Sequence, residues 1–381
     1  MLKKKITIGL ISLEDPNDRN ISSGTNYKIA EVLKNIGGEI KWLHPYHSVV
    51  WIIMEKVLRR IYNLFSQKTF MFRHTRLGAY LESHTIKKEE LNKCDIIFAS
   101  FSSPSCYKLD FPTQEPVIYL SDAVWHSMVG YYFRDIDSFS TKDGDIIERF
   151  ILNRANKIIS TSNWMTQNIK KHYNIPQEKI VNILFGANID DKDITIKNYK
   201  STETLDILFI GVDWERKGGR IAIEAVTWLN NNGIKSTLHI IGGKNIDYNS
   251  LNNKHVNYIG MLDKNIPSEY KKITDLMSKC QLTLLPTQAE CAGIYICESN
   301  AFGLPVYSTQ TGGVSSYIID GENGRLLPEK STGIEYGIKI KEDIESGKLR
   351  ELVELSRKRF QTELNWHTFS EKLSHVLNSY I

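Results

Sequence analysis

Short apolar, β-rich runs alternate with longer amphipathic stretches along the whole chain. The first run is Ile6–Ser12, followed by a helical pattern over Asn26–Asn35 and a second run at Glu39–Leu43. Further strands are predicted at Asp95–Ser100, Val117–Leu120, Lys157–Thr161 and Lys179–Leu184, with helices at Gly144–Arg154 and Trp164–His172 between them. Continuous apolar runs separated by helical periods are the pattern of repeated βαβ units in a doubly wound parallel sheet. A second set follows, with strands predicted at Asp206–Ile210, Ser236–Ile241, Val256–Ile259, Gln281–Leu285 and Pro305–Ser308. Between the sets, 186–205 is polar and aperiodic and reads as a linker.

The chain therefore reads as α/β, with two Rossmann-like doubly wound domains facing a central cleft: residues 1–185 and 206–365, with the last helix, 366–381, crossing back to the first domain. Ligands of such sheets sit beyond the carboxyl ends of the strands, which directs attention to the loops that follow them.

The segment Val49–Leu81 breaks the rhythm. It holds six Lys or Arg (Lys56, Arg59, Arg60, Lys68, Arg73, Arg76) against one acid, Glu55, with six aromatics interleaved. Val50, Met54, Val57, Leu58, Ile61 and Phe65 fall on one helical face, and Glu55, Lys56, Arg59, Arg60 and Asn63 on the other. Two readings follow: an amphipathic helix packed on the first sheet, or a basic surface that meets an anionic membrane or a phosphorylated lipid-linked acceptor.

Composition narrows the function. The 381 residues carry 48 Lys plus Arg against 44 Asp plus Glu, a net charge of +4, too balanced for a general nucleic-acid binder. The five cysteines are odd in number with no Cys-x-x-Cys pair, so neither a disulfide framework nor a thiolate zinc site is expected, and a reducing cytoplasm is the expected compartment. No apolar run approaches the roughly 20 residues of a membrane span.

Two stretches concentrate chemistry. In Leu284–Glu298 a strand ends at Pro286 and two carboxylates follow, Glu290 in the loop and Glu298 inside a helix opening near Gly293. The free N–H groups of that helix start, at Gly293 and Ile294, can hold a diphosphate. In Ile207–Gly219 a strand runs into adjacent cations, Arg216 and Lys217, and paired glycines; the cations can neutralise a leaving diphosphate, the arginine as a planar fork and the lysine as a point charge.

With the Gly211–Gly219 turn, Leu238-His-Ile-Ile-Gly242, Tyr258-Ile-Gly260, the Glu290/Glu298 pair, Thr311-Gly-Gly-Val314 and Asp320-Gly-Glu-Asn-Gly324, the second domain resembles glycosyltransferase family 4 (group 1), the retaining nucleotide-sugar transferases of GT-B architecture. The resemblance implies that Glu298 binds the donor ribose, that Glu290 contacts the transferred sugar near the reacting carbon, and that Arg216, Lys217 and the backbone of Gly293 and Ile294 bind the donor phosphates. In the first domain Ser22-Ser-Gly-Thr25 sits where the family has a paired-glycine loop against the donor phosphate, and only Gly24 of the pair is kept. Where many relatives have a histidine after the fourth strand, this chain has Asp122, with His126 a turn later; Asp122 is the expected sugar contact and His126 the alternative. Val212 stands where many relatives carry an arginine, which leaves the phosphate role to Arg216.

The implied reaction is retaining, metal-independent hexosyl transfer from a UDP- or GDP-sugar to a hydroxyl, without cofactor, onto a lipid-linked or growing surface glycan. Closure of the domains about the 186–205 linker and the last helix is expected to bring Asp122 towards Glu290 and exclude water. Two alternatives stay open: a non-catalytic nucleotide-sugar-binding subunit of a transferase complex, or another GT-B activity such as a phosphorylase or epimerase.

Overall fold

The computed structural model describes residues 1–195, 203–244, 246 and 251–381, so 196–202 of the 186–205 linker segment lie outside the described residues. The chain divides into two units, Met1–Ile183 with Ser370–Ile381, and Leu184–Phe369.

The sheet of the first unit contains β1 (Ile6–Ile11), β2 (Gly38–Leu43), β3 (Ile96–Ser100), β4 (Val117–Ser121), β5 (Lys157–Ser160) and β6 (Ile180–Asn182), in the order β2-β1-β3-β4-β5-β6. That of the second contains β7 (Leu205–Asp213), β8 (Ser236–Lys244), β9 (Val256–Gly260), β10 (Leu282–Leu285), β11 (Val306–Thr309) and β12 (Gly324–Leu327), in the order β12-β11-β10-β7-β8-β9. The strand pairs are parallel, with registers such as Ile8↔Ile96 and Thr283↔Val306. Strands β3, β4, β10 and β11 are buried throughout, because helices cover both faces of a parallel sheet; this is why they read as unbroken apolar runs.

Each order reverses once. The chain moves from β1 outward to β2 and then returns to lay β3 on the other side of β1; likewise it runs β7-β8-β9 and returns to place β10 beside β7. The carboxyl ends of β7 and β10 thus become neighbours although some 70 residues separate them in sequence. Such a switch point leaves a crevice between loops that diverge to opposite faces.

The local differences from expectation have physical causes. Strand β12 was not anticipated: Gly324-Arg-Leu-Leu is a short edge strand after a polar turn, with two partly exposed residues. The helix predicted from Gly144 begins at Ser138, where the Asp137 carboxylate accepts from Phe139 N and Ser140 N at 2.9 Å each; its first turns are polar and hid the period. The helix expected over Trp164–His172 is α-helical only at Asn163–Asn168 and widens into a π-turn at Ile169–Tyr173, ending at Asn174 in the left-handed region.

The segment after β2 does form a helix, Val49–Asn63, but its principal neighbours are the turn Phe72–His74 and the helix Arg76–Ser83, so the expectation that it packs on the sheet is corrected. Its inward face also differs. Trp51 is buried, and Met54, Leu58 and Tyr62 are half-buried, whereas Val50, Val57, Ile61 and Phe65 point outward.

In the first unit, Glu148 on the helix Ser138–Arg154 lies buried beneath the sheet and accepts a hydrogen bond from Tyr119 Oη at 3.0 Å. Burial pushes its carboxyl up to about 7. A carboxyl raised in the folded state is protonated there while the unfolded chain has already lost its proton, so this stabilising contribution is present at low pH and is lost as pH rises towards about 7. Glu148→Gln should remove that slope: by urea unfolding, the variant should gain roughly 1–3 kcal/mol relative to the wild type between about pH 5 and about pH 7.5.

Candidate functional site

The Arg216–Lys217 turn is built by its own backbone. Asp213 accepts from Arg216 N through Oδ1 at 3.0 Å and from Lys217 N through its carbonyl at 3.0 Å, and Gly219 N donates to Trp214 O at 3.0 Å. Trp214 is fully buried, with its ring against Gly219, where any Cβ would sit 2.2 Å from it. Gly218 has φ +76, and a Cβ there would lie 2.1 Å from Pro286 O. The turn is thus pressed onto the end of β10, and Gln288 N closes the contact by donating to Arg216 O at 2.7 Å.

That docking sets the charges. Lys217 Nζ forms an ion pair with the Glu290 carboxylate, and both side chains are only 12% exposed. Arg216 Nη1 lies 3.9 Å from the same carboxylate and donates to Ala289 O at 2.8 Å. Lys217 also stands over the ring of Tyr295, 5.0 Å from its centre. Burial lowers the Lys217 ammonium and the Glu290 charge opposes that, leaving it below the ordinary lysine value. Asp213 Oδ2 lies 3.6 Å from Arg216 Nε, so two cations and two carboxylates meet at this pair of loops, with Glu290 the carboxylate that both cations approach.

The helix Ile294–Ala301 starts directly after this loop with Gly293 at its N-cap; Ile296 N and Cys297 N donate to Gly293 O at 2.8 and 3.3 Å, and the N–H groups of Ile294 and Tyr295 precede the first carbonyl-bonded turn. Glu298 is buried one turn further in and accepts from Lys264 Nζ at 2.7 Å. Lys264 had not been singled out. The only signal for it was position: it lies in the loop that follows β9, at the carboxyl end of the sheet.

The remaining predicted residues lie in the first unit. Gly24 is the N-cap of the helix Thr25–Asn35, with φ +86, preceded by Ser22 and Ser23, which are also left-handed. Glu14, another residue the sequence reading missed, ties this turn together by accepting from Ser22 Oγ at 2.7 Å and Asn26 Nδ2 at 3.0 Å. Asp122 follows β4 and is half-buried; the N-cap of the next helix is Val124, so helix capping does not account for it. His126 is occupied locally: its ring stacks on His172 at 3.9 Å, its Nδ1 lies 3.4 Å from Asp145 Oδ2, and its backbone N donates to Tyr173 Oη at 3.1 Å. The structure thus unites Arg216, Lys217, Glu290, Gly293 and Ile294 in one loop cluster with Glu298 behind it, while Gly24, Asp122 and His126 belong to the other unit.

Two six-stranded parallel sheets with these switch points are the GT-B fold of glycosyltransferases. The sucrose-phosphate synthase of Thermosynechococcus elongatus superposes with a TM-score of 0.71 at 17% identity, covering 99% of each chain. HepE of Anabaena in complex with UDP-glucose gives 0.65 at 14% identity, covering 98% of this chain and 100% of that one. In sequence, residues 190–356, which contain the Arg216/Lys217 and Glu290/Glu298 groups, match the model of glycosyl transferases group 1. The uncharacterised glycosyltransferase MJ1178 of Methanocaldococcus jannaschii is 27% identical over 222 residues, a match that takes in 57% of this chain and 58% of that protein's length. The fold is thus GT-B, and the sequence similarity to group 1 glycosyl transferases lies within residues 190–356.

The packing at Gly218 yields a direct test. Gly218→Ala should cost about 2–4 kcal/mol, from a left-handed backbone plus a clash with a carbonyl, and should weaken any ligand held by Lys217. Gly233 shares a positive φ of +87 but has nothing within 4 Å of a built Cβ, so Gly233→Ala should cost only the backbone share, about 1 kcal/mol. Urea midpoints of the two variants compare the effects.

Proposed function

We propose that the protein is a retaining, metal-independent hexosyltransferase that moves a sugar from a UDP- or GDP-sugar to a hydroxyl of a lipid-linked or growing surface glycan. The observation that carries the reading is the Lys217–Glu290 ion pair, with Arg216 3.9 Å from the same carboxylate, at the start of a helix. As the bond from sugar to diphosphate breaks, positive charge develops on the sugar ring and negative charge on the leaving phosphate. Arg216, Lys217 and the N–H groups at Gly293 and Ile294 meet the negative charge from groups already held in place by packing. Their fixed charge is the task a divalent ion performs in other transferases. Glu290 positions the sugar hydroxyls and stabilises the developing cation. Attack comes from the face the diphosphate leaves, and the departing phosphate takes the acceptor proton, so Glu290 needs no covalent role.

Glu298 binds the ribose diol, sharing its carboxylate with Lys264. Asp122, which follows β4 directly, is the proposed sugar contact from the first unit, with His126 the alternative. Gly24 lets its loop approach the donor phosphate. Five free, buried cysteines suit a reducing cytoplasmic setting.

Glu290→Ala should lower transfer by about 100-fold or more while leaving nucleotide affinity within a few-fold. Glu298→Ala should weaken nucleotide binding by about 10-fold or more, the value of a hydrogen bond to a charged group. Full turnover by Glu290→Ala, read as release of nucleoside diphosphate, would remove the assignment. In thermal melts, either UDP or GDP should raise the midpoint, and the shift should survive EDTA; a shift abolished by EDTA would contradict metal independence.

A further inference from the structure

The helix Val49–Asn63 carries two apolar stripes, and only one of them is used by the fold. The inward stripe is anchored by Trp51, which is 7% exposed, donates through Nε1 to Gly78 O at 3.0 Å and stacks flat on His47 at 3.6 Å. Tyr62 closes the far end on Phe70 at 5.2 Å. His47 is in turn held by buried Glu82, at 2.8 Å, and Glu82 also accepts from Arg73 and Ser105. This fixes the rotation of the helix about its axis.

The outward stripe is Val50, Ile53, Val57, Ile61 and Leu64, recurring at three- and four-residue steps and followed by Phe65. These residues are 57%, 55%, 49%, 48%, 75% and 85% exposed. Isolated exposed aliphatics are ordinary, but a continuous row along four turns marks a contact surface. Lys56 and Arg60 are exposed along one border of the row, and Lys68 follows its end. Glu55, the single acid of the helix, is half-buried and lies 3.3 Å from Arg59.

We propose that this stripe lies in the surface of an anionic lipid bilayer, with Val50, Ile53, Val57, Ile61, Leu64 and Phe65 at the acyl boundary and Lys56, Arg60 and Lys68 on lipid phosphates. Charge selects the occupant. A symmetric contact with a second copy would bring two basic borders together, whereas an anionic bilayer neutralises them and accepts an apolar row of any shape. The helix has 15 residues, and among the described residues no helix is long and apolar enough to cross a membrane, so it lies in the plane of the surface. The proposal is independent of the donor-site reading, because vesicle binding is measured without turnover.

The test is flotation of the full chain with phosphatidylcholine vesicles containing roughly 30% phosphatidylglycerol, and with phosphatidylcholine vesicles alone, at low and high salt. The wild type should bind the anionic vesicles, less so at high salt. Val57→Asp/Ile61→Asp and, separately, Lys56→Glu/Arg60→Glu should each reduce binding by about 10-fold or more, with unchanged thermal midpoints. Absence of wild-type binding, or binding by both variants equal to that of the wild type, overturns the proposal. So does a dimer, seen in sedimentation without lipid, that Val57→Asp/Ile61→Asp dissociates while vesicle binding is absent.

Discussion

Lys217 and Glu290 form an ion pair that neither residue could sustain alone at that depth. A largely buried charge without a partner costs several kcal/mol, so the pair holds only while the turn after β7 and the loop after β10 stay in register. The surrounding packing serves that requirement: Trp214 beneath Gly219, Gly218 against Pro286 O, and Gln288 N on Arg216 O each fix one loop against the other. The result is a preorganised cluster of paired charges beside a helix start, held by packing.

The second unit extends this logic inward. Glu298 is paired with Lys264, as Glu290 is with Lys217, so each carboxylate of the motif is presented with its own ammonium. A ligand hydroxyl approaching either carboxylate meets an acceptor already oriented by its ammonium partner. The first unit is built on a different principle. There the polar groups are gathered around buried acids, Glu82 with Arg73, His47 and Ser105, and Glu148 with Tyr119, which hold the helices that cover the sheet.

Much of the fold was legible in the sequence because buried parallel strands must be apolar on both faces, and runs such as Ile96–Ser100 and Val117–Ser121 have no other reading. The pattern failed where burial is partial: β12 at the sheet edge, the polar first turns of Ser138–Arg154, and the π-turn at Ile169–Tyr173. The site followed the same division. Glu290, Glu298, Arg216 and Lys217 stand out through spacing and position after strands. Lys264 and Glu14 do not: the partner of Lys264 is 34 residues away, those of Glu14 are 8 and 12 residues away across an irregular turn, and nothing local distinguishes either from a surface charge.

The sequence by itself determined that this chain makes two doubly wound units and that cations and carboxylates follow their strands, since these are properties of short segments set by periodicity and spacing. Only the tertiary structure decided which of those residues meet. The return of the chain from β9 to lay β10 beside β7 is a choice among strand orders with equal local cost, and it alone brings Lys217 to Glu290. The same holds for Val49–Asn63: its apolar residues extend more than halfway around the helix, and the burial of Trp51, not the pattern, determines which stripe faces outward.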